Sequence, residues 1–218
     1  MKLYYSPLAC SLADHIALRE AGMAFDTERV DLRTLRTETG ADFRVINPKG
    51  YVPALVLDGG ELLTENVAVL DWIAGEAPVL SVDGPLGRTR VLEALTYITT
   101  EIHRAFKPMW HRGNEAEKAT ASATVTRLMT PMSDAMGGDY LFGDRPSVAD
   151  FYLFVMLLWA ERFGVETPTA LGAMRERMKG RPAAREALIH EGLLDATWGF
   201  DEARASGSEN RLSAHSRA

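Results

Sequence analysis

The first twenty-two residues place the only cysteine of the chain between a strand and a helix. Residues 2–5 combine aromatic and apolar side chains typical of a short β-strand, and the following Ser-Pro pair ends it because proline donates no backbone hydrogen bond. Beyond Cys10, Ser11 and Asp14 are spaced like a capping box, which predicts a helix that Gly22 terminates. A thiol at this position lies beside unpaired N–H groups, which favour an anion.

The helix N-terminus alone does not ionise this thiol at neutral pH. Such a position stabilises a charge by at most about 2 kcal/mol, which lowers a thiol pKa from ~8.5 by roughly 1.5 units. A full thiolate therefore requires further hydrogen-bond donors from elsewhere in the chain. The opposing interpretation is that Cys10 is a small buried hydrophobe, as unpaired cysteines usually are. Position alone leaves both interpretations open.

Composition and charge exclude several classes of protein. The 218 residues are 46% hydrophobic and 25% charged, enough for one large domain or two small ones. A single cysteine excludes an intramolecular disulfide and suits a reducing compartment, and the histidines show no metal-ligand spacing. The longest apolar run, Phe151 to Ala160, is too short to cross a bilayer, and a net charge of −6 argues against nucleic-acid binding. We therefore expect a cytoplasmic protein with no metal, no nucleic-acid partner and no membrane partner.

The pattern up to residue 78 predicts a small α/β domain. Partial alternation over residues 25–32 gives a second strand, and strand, helix and strand in close succession form a βαβ unit with a parallel pair. The polar residues 33–40 are expected to form a loop or an irregular helix, and residues 42–46 a further helical turn. The Asp58-Gly59 turn between two apolar runs then predicts an antiparallel hairpin.

Two features of this domain have more than one interpretation. Pro53 at the start of a strand has two explanations. In the first, the Val52-Pro53 bond is trans and the proline opens an edge strand, and the rarity of cis bonds favours this explanation. In the second, the bond is cis and leaves the Val52 backbone free for an extended ligand. Glu65 begins the next helix, where it either caps the helix or offers a carboxylate to an ammonium group while Asn66 offers its N–H to a carboxylate. The sequence pattern does not decide between these alternatives.

Helical periodicity dominates the second half of the chain. The predicted helices cover residues 88–110, 115–136, 147–163, 168–178 and 183–191. The helix at 147 begins with a second capping box, Ser147 to Asp150, and His103 lies on the first of these helices. The domain organisation is therefore an α/β domain at 1–78, a linker at 79–87, an all-helical domain at 88–195 and a polar tail at 196–218.

Together these motifs resemble a bacterial glutathione S-transferase, most of all the beta class. The resemblance rests on Tyr-Ser-Pro-Leu-Ala-Cys-Ser-Leu ending at Leu12, Asn-Pro-Lys-Gly-Tyr-Val-Pro-Ala-Leu from Asn47, Leu-Thr-Glu-Asn ending at Asn66, and Thr-Glu-Ile-His ending at His103. It covers residues 1 to about 194. It implies the glutathione transferase fold, in which a thioredoxin-like domain (mixed sheet, βαβ-α-ββα) binds glutathione and an all-α domain contributes the pocket for an apolar electrophile. It also implies a homodimer.

The resemblance implies two catalytic side chains. Cys10 faces the glutathione sulfur and can form a mixed disulfide with it, and His103 is the helical histidine that approaches the site. The helix dipole and His103 together favour a sulfur anion where the dipole alone falls short. Donors that stabilise the thiolate of glutathione, the co-substrate, accelerate its attack on an electrophile. We therefore predict a transferase that conjugates reduced glutathione to electrophilic small molecules.

The resemblance also implies a set of glutathione-binding residues. They are Ser11, Val52, Pro53, Glu65, Asn66, Thr96, Thr100 and Arg104. The Val52 backbone meets the cysteinyl part of glutathione ahead of a cis Pro53, and Glu65 with Asn66 holds the γ-glutamyl end. Thr96 occupies a position whose family counterpart reaches the ligand of the neighbouring subunit.

Two departures from the beta-class pattern bear on glutathione affinity. Leu35 stands where beta-class relatives often have a lysine that pairs with a glutathione carboxylate, and Arg33 and Arg36 are the candidate substitutes. Asn66 replaces a small residue and adds both an amide and bulk. We expect Leu35→Lys to tighten glutathione binding.

Two other functions remain open at this point. Cys10 without a second nearby cysteine permits a monothiol redox enzyme that acts through mixed disulfides. A non-catalytic interaction protein on the same fold is the other alternative. The electrophile is not identified, because the aromatic and apolar side chains that suit a pocket also suit a helical core. These side chains are Phe106, Met109, Trp110, Trp159 and Phe163.

Overall fold

A computed structural model describes residues 1–111 and 113–194. The strands are β1 (Lys2–Tyr5), β2 (Asp26–Asp31), β3 (Arg36–Thr37), β4 (Ala54–Val56) and β5 (Leu62–Thr64). The helices are α1 (Ser11–Glu20), α2 (Phe43–Ile46), α3 (Asn66–Glu76), α4 (Gly87–Tyr97), α5 (Lys107–Trp110), α6 (Glu115–Asp134), α7 (Val148–Phe163), α8 (Thr169–Gly180) and α9 (Pro182–His190). An α/β half is thus followed by an all-α half, as predicted. The predicted tail at 196–218 lies outside the described residues.

Strand β1 lies at the centre of a mixed sheet with the order β3-β2-β1-β4-β5. It pairs parallel with β2 and antiparallel with β4, so Leu3 lies opposite both Thr27 and Leu55. The βαβ unit and the β4–β5 hairpin match the prediction. The loop or irregular helix predicted for residues 33–40 is wrong, because β3 pairs antiparallel with β2 there. A strand of two residues is too short to show alternation in the sequence.

The two faces of the sheet pack against different apolar clusters. Leu3 and Tyr5 belong to the large cluster that also contains residues of α1, α3 and α7, while Tyr4 packs with Phe43 of α2 and Val52 on the opposite face. This division follows from the alternation of side chains along a strand. The large cluster continues from the sheet into the helical half, so the two halves share one core.

Helix α1 begins without the capping box predicted for Ser11 and Asp14. Cys10 occupies the N-cap position and provides no side-chain cap. Ser11 Oγ instead accepts a hydrogen bond from the Ser6 backbone N–H at 3.3 Å, and Asp14 is completely buried. The prediction failed because the loop folds back on itself and offers Ser11 a nearer partner. The second predicted box, Ser147 with Asp150, is present at the start of α7.

The long helix predicted for residues 88–110 is interrupted. Helix α4 continues as a π-helical segment, Ile98–His103, before the short helix α5 begins at Lys107. Pro108 accounts for the break, because proline cannot donate to the Arg104 carbonyl group one turn earlier. Within the described residues, no helix is long and apolar enough to cross a membrane.

Candidate active site

One pocket of about 140 Å³ lies between the two halves and collects most of the predicted site residues. The predicted residues that line it are Cys10, Val52, Pro53, Glu65, Asn66 and His103. It is bounded by the loop before α1, the loop before β4, the start of α3, the π-helical segment and α7. The Val52-Pro53 bond is cis, so the second interpretation of Pro53 is correct.

Cys10 is a thiol, and not a thiolate, in this pocket. Its burial above all, and then the Asp14 carboxyl group, raise the pKa of Cys10 to about 12. Cys10 Sγ donates to the Val52 carbonyl oxygen at 3.6 Å. The lower pKa expected from the helix N-terminus does not hold, because the loss of solvent outweighs the partial charge of the helix end. At neutral pH Cys10 is therefore a hydrogen-bond donor.

His103 is also neutral, and a tyrosine that the sequence did not reveal is bound to it. The Tyr152 hydroxyl lies 2.6 Å from His103 Nδ1, and the Trp159 ring packs edge-on at 4.9 Å between centroids. Burial lowers the pKa of His103 to about 4 and raises the pKa of Tyr152. We assign the tautomer in which the protonated phenol donates to Nδ1, and this assignment places the proton of the ring on Nε2.

The side chain of Asn66 braces the cysteine loop. With its nitrogen placed as the donor, the amide lies 2.6 Å from Asp14 Oδ2 and 3.0 Å from the Cys10 carbonyl oxygen. Burial raises the pKa of Asp14 well above its ordinary value. Asn66 is also the first residue of α3, where the backbone N–H has no partner within the helix. The side-chain amide of Asn66 thus contacts the protein, while the backbone N–H of Asn66 is available to a ligand.

An ion pair lies at the mouth of the pocket. Lys49 Nζ is 2.6 Å from Glu65 Oε1 and 3.0 Å from Thr64 Oγ1, and the two charged side chains are 54% and 67% exposed. Glu65 has a φ of +72°, a backbone conformation that residues other than glycine rarely adopt. Such backbone strain is typical of functional sites.

Four predicted glutathione-binding residues lie outside the lining of this pocket. Ser11 is buried against Ser6, while Thr96 and Thr100 are exposed and joined by a hydrogen bond of 3.0 Å from Thr100 Oγ1 to the Thr96 carbonyl group. Arg104 lines a separate groove along α6. Their roles in binding stay predictions.

Sequence reasoning missed several residues that line the pocket. They are Asn47, Lys49, Tyr51, Thr64, Val67, Thr99 and Tyr152. Lys49 stands inside the Asn-Pro-Lys-Gly motif, so the motif itself was the available signal. Tyr152 follows the Ser147–Asp150 capping box within a buried apolar run of α7, where periodicity does not separate a site residue from the core.

A larger groove of about 760 Å³ on the far side of α1 does not have the features of an active site. Four of its charged groups are already paired: Arg19 with Glu186, and the terminal amine of Met1 with Asp58. Over residues 1–111 and 113–194, no group of three or more His, Cys, Asp and Glu side chains is placed to hold a metal ion.

The chain is similar to known proteins over most of its length. Residues 9–76 match the family model for the glutathione S-transferase N-terminal domain, and residues 84–188 match that for the C-terminal domain. Glutathione S-transferase GstA of Escherichia coli O157:H7 is 40% identical over 200 residues, which are 88% of this chain and all of that protein.

Two solved structures share the fold. A sphingomonad glutathione S-transferase complexed with glutathione is 44% identical, with a TM-score of 0.82 over 88% of this chain and 100% of that one. A beta class glutathione S-transferase from Sphingomonas chungbukensis is 44% identical, with a TM-score of 0.82 over 89% and 100%. The chain therefore belongs to the glutathione S-transferase family. It is an enzyme that conjugates reduced glutathione to electrophilic small molecules, which confirms the predicted fold and activity.

Proposed function

We propose that glutathione binds in the pocket between the two halves with its sulfur between Cys10 and His103. The main support is that residues 10, 65 and 103, far apart in the sequence, line one pocket beside the cis Val52-Pro53 bond. The Val52 backbone meets the cysteinyl part of glutathione, and Glu65 takes the α-ammonium group. The free N–H groups at the start of α3 bind a carboxylate, for which helix N-termini are suited.

Neutral hydrogen-bond donors stabilise the glutathione thiolate in this proposal. Cys10 keeps its proton and turns it from the Val52 carbonyl oxygen to the glutathione sulfur when the cysteinyl part of glutathione meets the Val52 backbone, and His103 donates from Nε2 because Tyr152 occupies Nδ1. When the glutathione thiol loses its proton to solvent, its sulfur accepts both bonds. The sulfur then attacks the electrophilic carbon and forms the carbon–sulfur bond, while the displaced electron pair departs with a leaving group or, at an activated double bond, takes up a proton from solvent. Donors placed where charge develops are among the largest contributions to catalysis.

The alternative monothiol redox activity has less support. It needs Cys10 itself as the attacking thiolate. Burial raises the pKa of Cys10 to about 12, so the thiolate is a minor species at neutral pH. Conjugation does not require Cys10 to ionise, and is therefore the reaction that the site favours.

The remaining proposals concern the electrophile, the assembly and the compartment. Phe106 is fully buried in an edge-to-face cluster with Trp159, which supports a core role for both. Met109 and Trp110, which are partly exposed, are the better candidates for contact with an apolar electrophile.

We further propose a beta class homodimer in the cytoplasm. The 44% identity to the beta class structure from Sphingomonas chungbukensis supports the class, and the free thiol suits a reducing compartment.

Calorimetric titration with reduced glutathione, followed by conjugation assays, tests the proposed site. We expect one binding site per chain. Cys10→Ala removes the weaker of the two donors, because a thiol donates less strongly than an imidazole N–H, and is expected to lower conjugation by less than about tenfold and to abolish activity with disulfide substrates. His103→Leu is expected to lower kcat by about 10- to 100-fold, since it removes one donor to the sulfur. Absence of glutathione binding, or a Cys10→Ala variant without conjugation, would contradict the proposal.

A further inference from the structure

We propose that Lys49 binds the α-carboxylate of the γ-glutamyl end of glutathione, beside the α-ammonium group held by Glu65. The inference rests on the proposed function, because it assigns a further residue to the same pocket. Lys49 is the only lysine or arginine among the described residues that line this pocket. The other basic side chain there, His103, has its pKa lowered by burial and carries no charge at neutral pH.

The spacing of the ion pair matches an amino-acid zwitterion. An α-amino acid carries its ammonium and carboxylate groups on one carbon, so a complementary site needs an anion and a cation side by side. Lys49 Nζ and Glu65 Oε1 are 2.6 Å apart, and both side chains are more than half exposed, so a ligand can reach them. When glutathione binds, one internal ion pair is exchanged for two ion pairs with the ligand.

The loop that carries Lys49 is held firmly over the pocket. Asn47 Oδ1 accepts from the Lys49 backbone N–H at 3.2 Å, and Asn47 Nδ2 donates to the Tyr51 carbonyl group at 2.7 Å. Asn47 itself is 2% exposed. The side chain of Lys49 therefore extends from a backbone that Asn47 holds in place, and the hydrogen bond to Thr64 Oγ1 further restricts its ammonium group. A charged group already held near its binding position loses less entropy when the ligand arrives.

The arginines that the sequence offered as substitutes for a lysine at position 35 have other partners. Arg33 lies 3.8 Å from Asp31, and Arg36 donates to the Gly40 carbonyl group at 3.1 Å. Neither arginine lines the pocket. Leu35 is apolar and contributes no charge. Lys49 is therefore the cation left to recognise a carboxylate of the peptide.

Glutathione analogues that lack one charge test the assignment. Calorimetry compares glutathione with 4-aminobutyryl-Cys-Gly, which lacks the α-carboxylate, and with glutaryl-Cys-Gly, which lacks the α-ammonium group. We expect Lys49→Gln to weaken the binding of glutathione by about tenfold, as the loss of a partly exposed charge-assisted hydrogen bond does. The same substitution should leave the binding of 4-aminobutyryl-Cys-Gly unchanged. Lys49→Arg, which keeps the charge, should bind glutathione nearly as well as the parent protein.

Lys118→Gln is the matched control, since Lys118 also pairs with a glutamate, Glu115, at 2.9 Å but lies on α6 away from the pocket. It should bind all three peptides as the parent does. If Lys49→Gln weakens glutathione and 4-aminobutyryl-Cys-Gly equally, Lys49 binds the glycine carboxylate or acts only through its general charge, and the assignment is wrong. Unchanged glutathione binding in Lys49→Gln overturns it as well. Failure of the parent protein to bind glutathione would instead overturn the proposed function.

Discussion

His103 has one defined tautomer because the hydroxyl of Tyr152 occupies Nδ1. The 2.6 Å contact joins a residue of the π-helical segment to a residue in the buried helix α7. Tyr152 is 1% exposed, so its hydroxyl has no bulk water to replace this bond. Tyr152 thus acts through His103, as a positioning residue.

Tyr152→Phe should lower kcat by about fivefold and leave the KM for glutathione nearly unchanged, since one hydrogen bond that orients the ring is lost. Without that partner at Nδ1, both tautomers of the imidazole become accessible, so the ¹⁵N signals of His103 should lose the pattern of a single Nε2–H tautomer. Steady-state kinetics and ¹⁵N NMR of the imidazole nitrogens provide the measurements. Tyr97→Phe removes a comparable bond, from the Tyr97 hydroxyl to the Leu128 carbonyl group, and serves as the control. Unchanged ¹⁵N signals of His103 in Tyr152→Phe would show that Tyr152 only fills space.

Site residues that interrupt a regular sequence pattern could be predicted from the sequence, whereas site residues that lie inside a regular pattern could not. Cys10 follows a Ser-Pro break, and Pro53 is out of place in a strand, so both stood out against their surroundings. Tyr152 belongs to a run of buried residues in α7, and nothing in the sequence shows which polar atom of that helix finds a partner. The pKa of Cys10 was unpredictable for a related reason, since burial depends on packing between the two halves.

The segment between β2 and α2 holds Leu35 in a fixed position at the edge of the site. The Leu35 backbone N–H donates to the Asp31 carbonyl group at 2.8 Å, and its carbonyl group accepts from the Phe43 N–H at 2.9 Å. Its side chain packs over Gly50, the neighbour of Lys49. Hairpins, capping boxes and long periodic helices were predictable because each depends on local sequence. The short strand β3 and the π-helical segment depend on tertiary packing instead.

Leu35→Lys should tighten glutathione binding severalfold, because it adds a cation close to the pocket without a new backbone conformation. Leu35 has a φ of +53°, which strains leucine and lysine alike. Calorimetry with reduced glutathione measures the effect. Leu32→Lys makes the same change of charge at an exposed position, 41% accessible, and should bind glutathione as the parent protein does. An unchanged or weaker dissociation constant for Leu35→Lys would contradict the prediction.

The helical half of the protein holds the loop that carries Cys10. The Trp159 indole N–H of α7 donates to the Leu8 carbonyl group at 2.8 Å, and the Leu8 N–H donates to Glu191 Oε2 at 3.1 Å. Leu8 has a φ of +60°, so these contacts maintain a backbone conformation that leucine avoids in isolation. The active-site loop therefore depends on the shared core of both halves, and folding and function are coupled through it.

Glu191 is the residue on which this coupling can be tested, because both of its oxygens accept a hydrogen bond. His15 Nε2 accepts from Arg19 Nε at 3.0 Å, so the other ring nitrogen, Nδ1, carries the proton and donates to Glu191 Oε1 at 3.0 Å. In Glu191→Gln, one of the two accepting oxygens becomes an amide NH₂ group. That group then faces either the Leu8 N–H or the His15 Nδ1–H, so one buried donor loses its acceptor. The substitution should therefore lower the free energy of unfolding by about 2–3 kcal/mol.

Urea denaturation followed by circular dichroism measures that loss, and conjugation assays show whether the loop of Cys10 is displaced with it. Glu186→Gln is the control, since Glu186 pairs with Arg19 but is 64% exposed, and it should change the free energy of unfolding by less than about 0.5 kcal/mol. A Glu191→Gln variant as stable as the parent would mean that the carboxyl group holds a proton and donates to His15. In that case the amide N–H of the introduced glutamine would replace the carboxyl O–H as the donor to His15, and the amide oxygen would still accept from the Leu8 N–H.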